Sequence, residues 1–253
     1  MINTFFWSKR IYLYDYDNFE GLKMEKKKHL AFTMLELVMV IVVLGILAAL
    51  AMPRMERDIR QEAADNVLSA IRYTQHLALM DNVVEPTNRR WHRKFWRFGK
   101  EGCSDNGIFY YIGSDKDKGG GIDVDKGEEA IDPANGMIMM GVNNKPCEDD
   151  LSEQEYTVGS DTYVSSPNIF LTKKYGISEG KFTFSCTSGK YISFDYLGRP
   201  HVDNANSEKP NYSTLLHSDC NITLKFDDMS IPNVVITVEK ETGHAFIVGQ
   251  PDS

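Results

Sequence analysis

One carboxylate, Glu36, stands near the start of an otherwise uncharged run of 21 residues, 32–52. At ~1.5 Å per residue a helix of that length covers about 31 Å, enough to cross a hydrocarbon core. A charge inside such a helix costs roughly 2.5–3.5 kcal/mol on insertion scales, so it needs a reason to be there. The chemistry open to it is ion pairing, because a buried carboxylate wants a buried cation. Just upstream, Lys26, Lys27, Lys28 and His29 form a cationic cluster that favours keeping that side in the cytoplasm.

A second set of reactive residues is Cys103, Cys147, Cys186 and Cys220, all beyond the apolar run. There is no Cys-x-x-Cys, and the spacings 44, 39 and 34 fit no common zinc pattern. Two disulfides are the natural reading, which requires an oxidising compartment. Of the three pairings, Cys186–Cys220 joins two predicted strands and Cys103–Cys147 closes a loop-rich insertion. Free buried thiols are the alternative.

Three further clusters invite chemistry. Residues 89–100 are strongly basic and laced with aromatics (Arg89, Arg90, Trp91, Arg93, Lys94, Trp96, Arg97, Phe98), the composition that holds single strands of nucleic acid. The plainer reading is a strand that buries Trp96 and Phe98 and exposes Lys94 and Arg97. Residues 115–128 mix carboxylates with glycines, as calcium loops do, but Gly119 and the interspersed lysines break the EF-hand template. A solvated acidic loop is expected there, and no metal or cofactor is implied. Six histidines are scattered without a His-Glu-x-x-His, no Gly-x-Ser-x-Gly exists, and residues 176–182 miss the phosphate-loop spacing. His201 and His217, near Asp203 and Asp219, read as surface turn residues. No enzyme is expected.

The elements that position these residues follow from periodicity. Ile59, Ala63, Val67, Ile71, Thr74 and Ala78 recur at three- and four-residue steps and lie on one helical face. The pattern predicts one helix over about 32–80, apolar all round at first and amphipathic later, with Gly45 and Pro53 as places to kink. Asp81, Asn82 and Pro86 close it. Runs at 94–98, 108–112, 169–175, 182–186, 191–194, 222–226, 234–238 and 244–248 are β-branched or aromatic between turn residues, and read as strands. The last two flank a hairpin turn at 239–243. Residues 114–167 are polar and Gly-rich, and read as an insertion on the sheet edge. The fold class expected is α+β, a long transmembrane-to-amphipathic helix packed on an antiparallel sheet.

The order Ala31-Phe32-Thr33-Met34-Leu35-Glu36, a basic leader before it and an apolar run after it, resembles the class III signal of type IV pilins and type II secretion pseudopilins. In that family a prepilin peptidase cuts just before a Phe, the new amine is methylated, and a Glu stands fifth in the mature chain. Phe32 and Glu36 match, and Pro53 falls where the family often has Pro. Ala31 departs from the usual Gly before the cut. The resemblance implies that Glu36 neutralises the amine of a neighbouring subunit's first residue during assembly. More loosely, the late hairpin and Phe194-Asp195-Tyr196-Leu197-Gly198-Arg199-Pro200 look like the minor pseudopilin H and FimT-like subgroup, which implies two sheets behind the helix.

On this reading residues 1–31 are the leader. Met24 is the true start and 1–23 an upstream extension, the alternative being a long leader. Residues 32–53 form the membrane and filament-core helix, 54–81 the amphipathic helix, and 82–253 a periplasmic β-rich domain carrying the 114–167 insertion. The implied partners are other pilin subunits, the prepilin peptidase, an inner-membrane assembly platform, and the membrane itself through 32–52. The mature chain of 222 residues holds 22 basic and 32 acidic side chains, a net charge near −10. That opposes broad capture of DNA, which rests on many phosphate contacts. A FimT-like DNA-binding module is the alternative function, weakened because Gly198-Arg199-Pro200-His201 lacks the second Arg of the FimT-type Gly-Arg-x-Arg.

Overall fold

A computed structural model describes residues 34–81, 84–147, 154–186 and 190–250, without the side chains of 48–58. The chain divides into two units, residues 1–48 and 49–253. The leader, Ala31 and Phe32 lie outside the described residues. Helix α1 is Met34–Met80. Among the described residues no helix is long and apolar enough to cross a membrane. The apolar run reaches beyond them, since it includes Phe32, Thr33 and the side chains from 48 to 52.

In the second unit, Ala63, Val67, Ala70, Ile71, Thr74 and Ala78 of α1 are buried in the main core. Alanines at three of these positions let the helix approach closely, and Thr74 satisfies its hydroxyl on the Ala70 carbonyl one turn back. The rest is α+β with antiparallel sheets. One sheet has the order β2-β1-β6-β7, with β1 Trp96–Gly102, β2 Ile108–Gly113, β6 Tyr191–Phe194 and β7 Pro200–His201. The other has the order β10-β9-β8-β5, with β5 Phe182–Phe184, β8 Cys220–Leu224, β9 Val234–Val238 and β10 Ala245–Ile247. Phe98 of β1 meets Phe182 and Phe184 of β5 at ring distances of 6.3 and 6.2 Å, so an aromatic cluster joins the two sheets.

Polar bonds from α1 tie down the turns of both sheets. The Gln75 amide donates to the carbonyls of Gly198 (2.9 Å) and Thr242 (2.8 Å). The turns meet so closely that a Cβ on Gly243, which has φ +68°, would lie 2.4 Å from the Gly198 carbonyl oxygen. Arg72 donates to the Ala245 carbonyl, and Arg60 to the carbonyls of Pro232 and Asn233.

Three expectations need correcting. Residues 169–175 are not a strand. A 3-10 turn, Pro167–Ile169, capped by Ser166 accepting from the Asn168 N–H, leads into helix α2, Leu171–Tyr175, which Gly176 at φ +64° stops. The Ser-Pro start of the turn and the Gly that ends the helix outweigh the aromatic composition between them. Residues 94–98 begin instead as a 3-10 turn, Trp91–Lys94, ahead of β1. The 114–167 segment, expected to carry few strands, contains a hairpin, β3 Glu155–Val158 and β4 Asp161–Val164, around Gly159 and Ser160. Gly159 has φ +63°, as a two-residue hairpin turn needs. The same segment bonds to the free edge of β2, with Ala130 donating to Ile112 and Ile112 to Met139.

The structure joins Cys103 to Cys147, with Cα atoms 5.7 Å apart, and Cys186 to Cys220, with Cα atoms 4.9 Å apart.

Candidate functional site

In the first unit the side chains of residues 34–47, Glu36 among them, are exposed. Every large apolar side chain from Met34 to Leu47 is at least half exposed. A helix apolar on all faces is a membrane span or a buried core element, and exposure of this kind marks a surface that another body covers. Glu36 sits in the first turn of α1, where a carboxylate complements the positive end of the helix dipole.

The basic segment folds quite differently from a nucleic-acid surface. Arg93 and Arg97 are buried, 5% and 2% exposed, which corrects the expectation that Arg97 faces solvent. Arg97 pairs with Asp115 and donates to the carbonyls of Arg93 and Gly120. Arg93 donates to the carbonyls of Ser207 and Lys118 and pairs with Glu208, which also holds Arg90 at 2.6 Å. Lys94 and Lys118 share Glu85 at 3.3 and 3.1 Å. Lys118 and then Lys94 hold the Glu85 carboxyl below its usual range, and Arg90 does the same for Glu208. The physical reason is that residues 114–128 fold over the face of β1 that alternation assigns to solvent. Arg90, Arg93, Lys94, Arg97 and Lys100 are engaged by internal partners, so the DNA-binding reading finds no support here.

The 115–128 segment is only partly solvated: residues 116, 117, 119, 121 and 125–127 are exposed, but its two ends are not. Asp115 and Glu128 are fully buried. Glu128 accepts from the backbone N–H groups of Asp117 (2.8 Å) and Asp123 (2.9 Å), and Asp115 from Gly120 (2.7 Å). One oxygen from each of Asp115, Asp117 and Glu128 lies within 4.8 Å of the others, a spacing a divalent ion could use. The positive charge is already supplied by Arg97 on Asp115 and by Lys126, which bridges Asp117 (2.6 Å) and Asp123 (3.0 Å).

His201 is buried rather than in a surface turn, while His217 is exposed. Its Nδ1 lies 2.8 Å from Thr214 Oγ1 and its Nε2 3.4 Å from Asp195 Oδ2. The array has the residue types of a hydrolytic triad, yet Thr214 donates its own proton to the Asn211 carbonyl at 2.7 Å. The histidine therefore takes no proton from that hydroxyl. Burial pushes the Asp195 carboxyl up, but hydrogen bonds from His201, Arg199 and two backbone N–H groups outweigh it, and the group stays ionised below the usual range. The cluster closes the β6–β7 turn. Sequence reasoning missed it because Asp195 and Thr214 are brought to His201 only by that turn and by the following loop.

Residues 26–52 match the prokaryotic N-terminal methylation motif. This signature supports a type IV pilin-like prepilin, and points to a structural, non-enzymatic protein that joins other pilins after processing by a prepilin peptidase. No curated protein and no solved structure matches the chain.

Proposed function

We propose that the protein is a minor pilin or type II secretion pseudopilin. It is made as an inner-membrane prepilin, cut between Ala31 and Phe32, methylated on the new amine, and assembled into a periplasmic or surface filament. The observation that carries this reading is the methylation motif matched over residues 26–52; the order of basic leader, Phe32 and Glu36 in the sequence supports it. The exposed apolar face from Met34 to Leu47 supports it, since a membrane first and neighbouring subunits later cover such a surface. In the filament Glu36 accepts the amine of a neighbour's Phe32. Residues 82–253 form the periplasmic β-rich domain, packed on the amphipathic helix 54–81, and its two sheets suit the pseudopilin H-like subgroup.

N-terminal mass spectrometry of the membrane-extracted protein tests the reading. The expected product begins at a methylated Phe32. A chain that begins anywhere else refutes it, and Ala31→Gly should be processed at least as well as the parent.

A further inference from the structure

The outward face of the first sheet carries a feature that filament assembly does not use. Gly99 of β1 pairs with Tyr111 of β2 on one side and with Tyr191 of β6 on the other, so the three share a row across the sheet. The Tyr111 ring lies over Gly99, where a Cβ would come within 2.3 Å of its Cζ. Tyr156 of the β3–β4 hairpin adds a third ring. With Glu101, Arg97 and Asn143 these rings line a cleft of about 330 Å³. That volume falls at the small end of ligand pockets, roughly 300–1,000 Å³.

The rings are fixed in place. The Tyr156 hydroxyl donates to the Gly141 carbonyl at 2.7 Å, and the Tyr191 hydroxyl accepts from the Ala205 N–H at 2.8 Å. Burial, with the Glu101 charge adding to it, pushes Tyr156 up to about 12, and burial pushes Tyr111 higher although the Arg97 charge opposes it, so both remain neutral phenols. The charges in the lining are already balanced: Arg97 pairs with Asp115 and Glu101 with Lys190 at 2.9 Å. A cationic ligand would meet the Arg97 guanidinium and an anionic one the Glu101 carboxylate. What remains is a set of held aromatic rings with a carboxylate acceptor and a carboxamide at the rim.

We propose that this cleft binds a neutral saccharide ring, one residue of a glycan chain. Such a ring offers apolar C–H faces to the tyrosines and hydroxyls to Glu101 and Asn143, which is the mixture that the lining can satisfy. Glycans of N-acetylhexosamines and of plain hexoses share this chemistry.

The test uses the full chain in micelles of a sugar-free detergent, titrated calorimetrically with N-acetylchitotetraose and, separately, with maltotetraose. Saturable binding of one or both is expected, and the better ligand tells which glycan class is meant. Tyr156→Ala should bind about tenfold more weakly, and Tyr156→Phe, which keeps the ring but loses its bond to the Gly141 carbonyl, should fall between it and the parent. Glu101→Gln and Asn143→Ala, on other segments, should each weaken binding, and keep the test open if Tyr156→Ala fails to fold. The proposal is overturned if neither tetrasaccharide binds below ~10 mM, or if the folded variants all bind as the parent does.

Discussion

The Arg97 guanidinium meets the Asp115 carboxylate at 3.2 Å, with side chains only 3% and 0% exposed. The pair fastens residues 114–128 to β1, and it decides the role of the basic segment. A charge placed to hold a phosphate must be reachable, and this one is enclosed. Two buried charges repay their desolvation only together, so removing one partner typically costs about 3–5 kcal/mol. Arg97→Ala should lower the unfolding free energy by that order in urea denaturation followed by circular dichroism. Arg97→Ala combined with Asp115→Ala should cost less than the sum of the single changes. A loss under ~1 kcal/mol for Arg97→Ala would mean that the pair is solvated in solution and the arginine free for other partners.

His92 gives the stability a dependence on pH. It is 3% exposed, and burial pushes its imidazole below the usual range; Arg93 and His201 act in the same direction, and the carbonyls of Ser207 and Arg89 only partly oppose them. With the folded value lowered, the unfolded chain takes up the proton first. Stability is therefore full above about pH 6.5 and declines as the pH falls below it. The decline attributable to Asp195, whose carboxyl is held low, begins only near the carboxylate range, at about pH 4. Melting temperatures measured from pH 7.5 to 5 should fall for the parent and stay flatter for His92→Phe. Parallel curves for the two proteins would assign the dependence to other groups.

These two histories show where the sequence is readable. The α1 face, Ala63, Val67, Ile71, Thr74 and Ala78, is legible because period and burial coincide on a helix with one covered side. Strands 191–194 and 234–238 are equally plain from their β-branched and aromatic runs. Arg97 is misjudged from strand alternation, and His201 from its place among turn residues. Alternation tells which side of a strand a residue occupies, but not whether a distant loop folds over that side. The β3–β4 hairpin fails differently: Gly159-Ser160 between Tyr-Thr-Val and Asp-Thr-Tyr is a local turn signal, hidden by the polar composition around it. The tyrosine cleft depends on three strands lining up at Gly99, and a register of that kind is not written in any one segment.

The disulfides offer a check on the register of the second sheet. Phe182 pairs with Leu224 and Phe184 with Ile222, so continuing the β5–β8 ladder sets Cys186 opposite Cys220. Cys103 follows β1 and is joined to Cys147, closing a separation of 44 residues. Peptide mapping under non-reducing conditions should recover both pairs. Removing either by a double Cys→Ala change should cost about 2–4 kcal/mol, a large part of the stability of an ordinary domain. A Cys103–Cys186 or Cys103–Cys220 peptide would show that the strand order is wrong, and free thiols that the bridges do not form.

The assembly reading turns on Glu36. It is the one charge in a run of 21 otherwise uncharged residues, and in an isolated subunit it burdens the membrane helix by roughly 2.5–3.5 kcal/mol. If its role is to pair with a neighbouring amine, Glu36→Val should insert into the inner membrane at least as well as the parent and still be cut after Ala31. It should be nearly absent from sheared filaments, because an uncompensated ammonium would then be left in an apolar packing core. Glu36→Asp keeps the charge but shortens the reach, and should fall between the two. Immunoblots of membrane and filament fractions separate these outcomes. Normal incorporation of Glu36→Val would leave the carboxylate without its assembly role, although processing at Phe32 could stand unchanged.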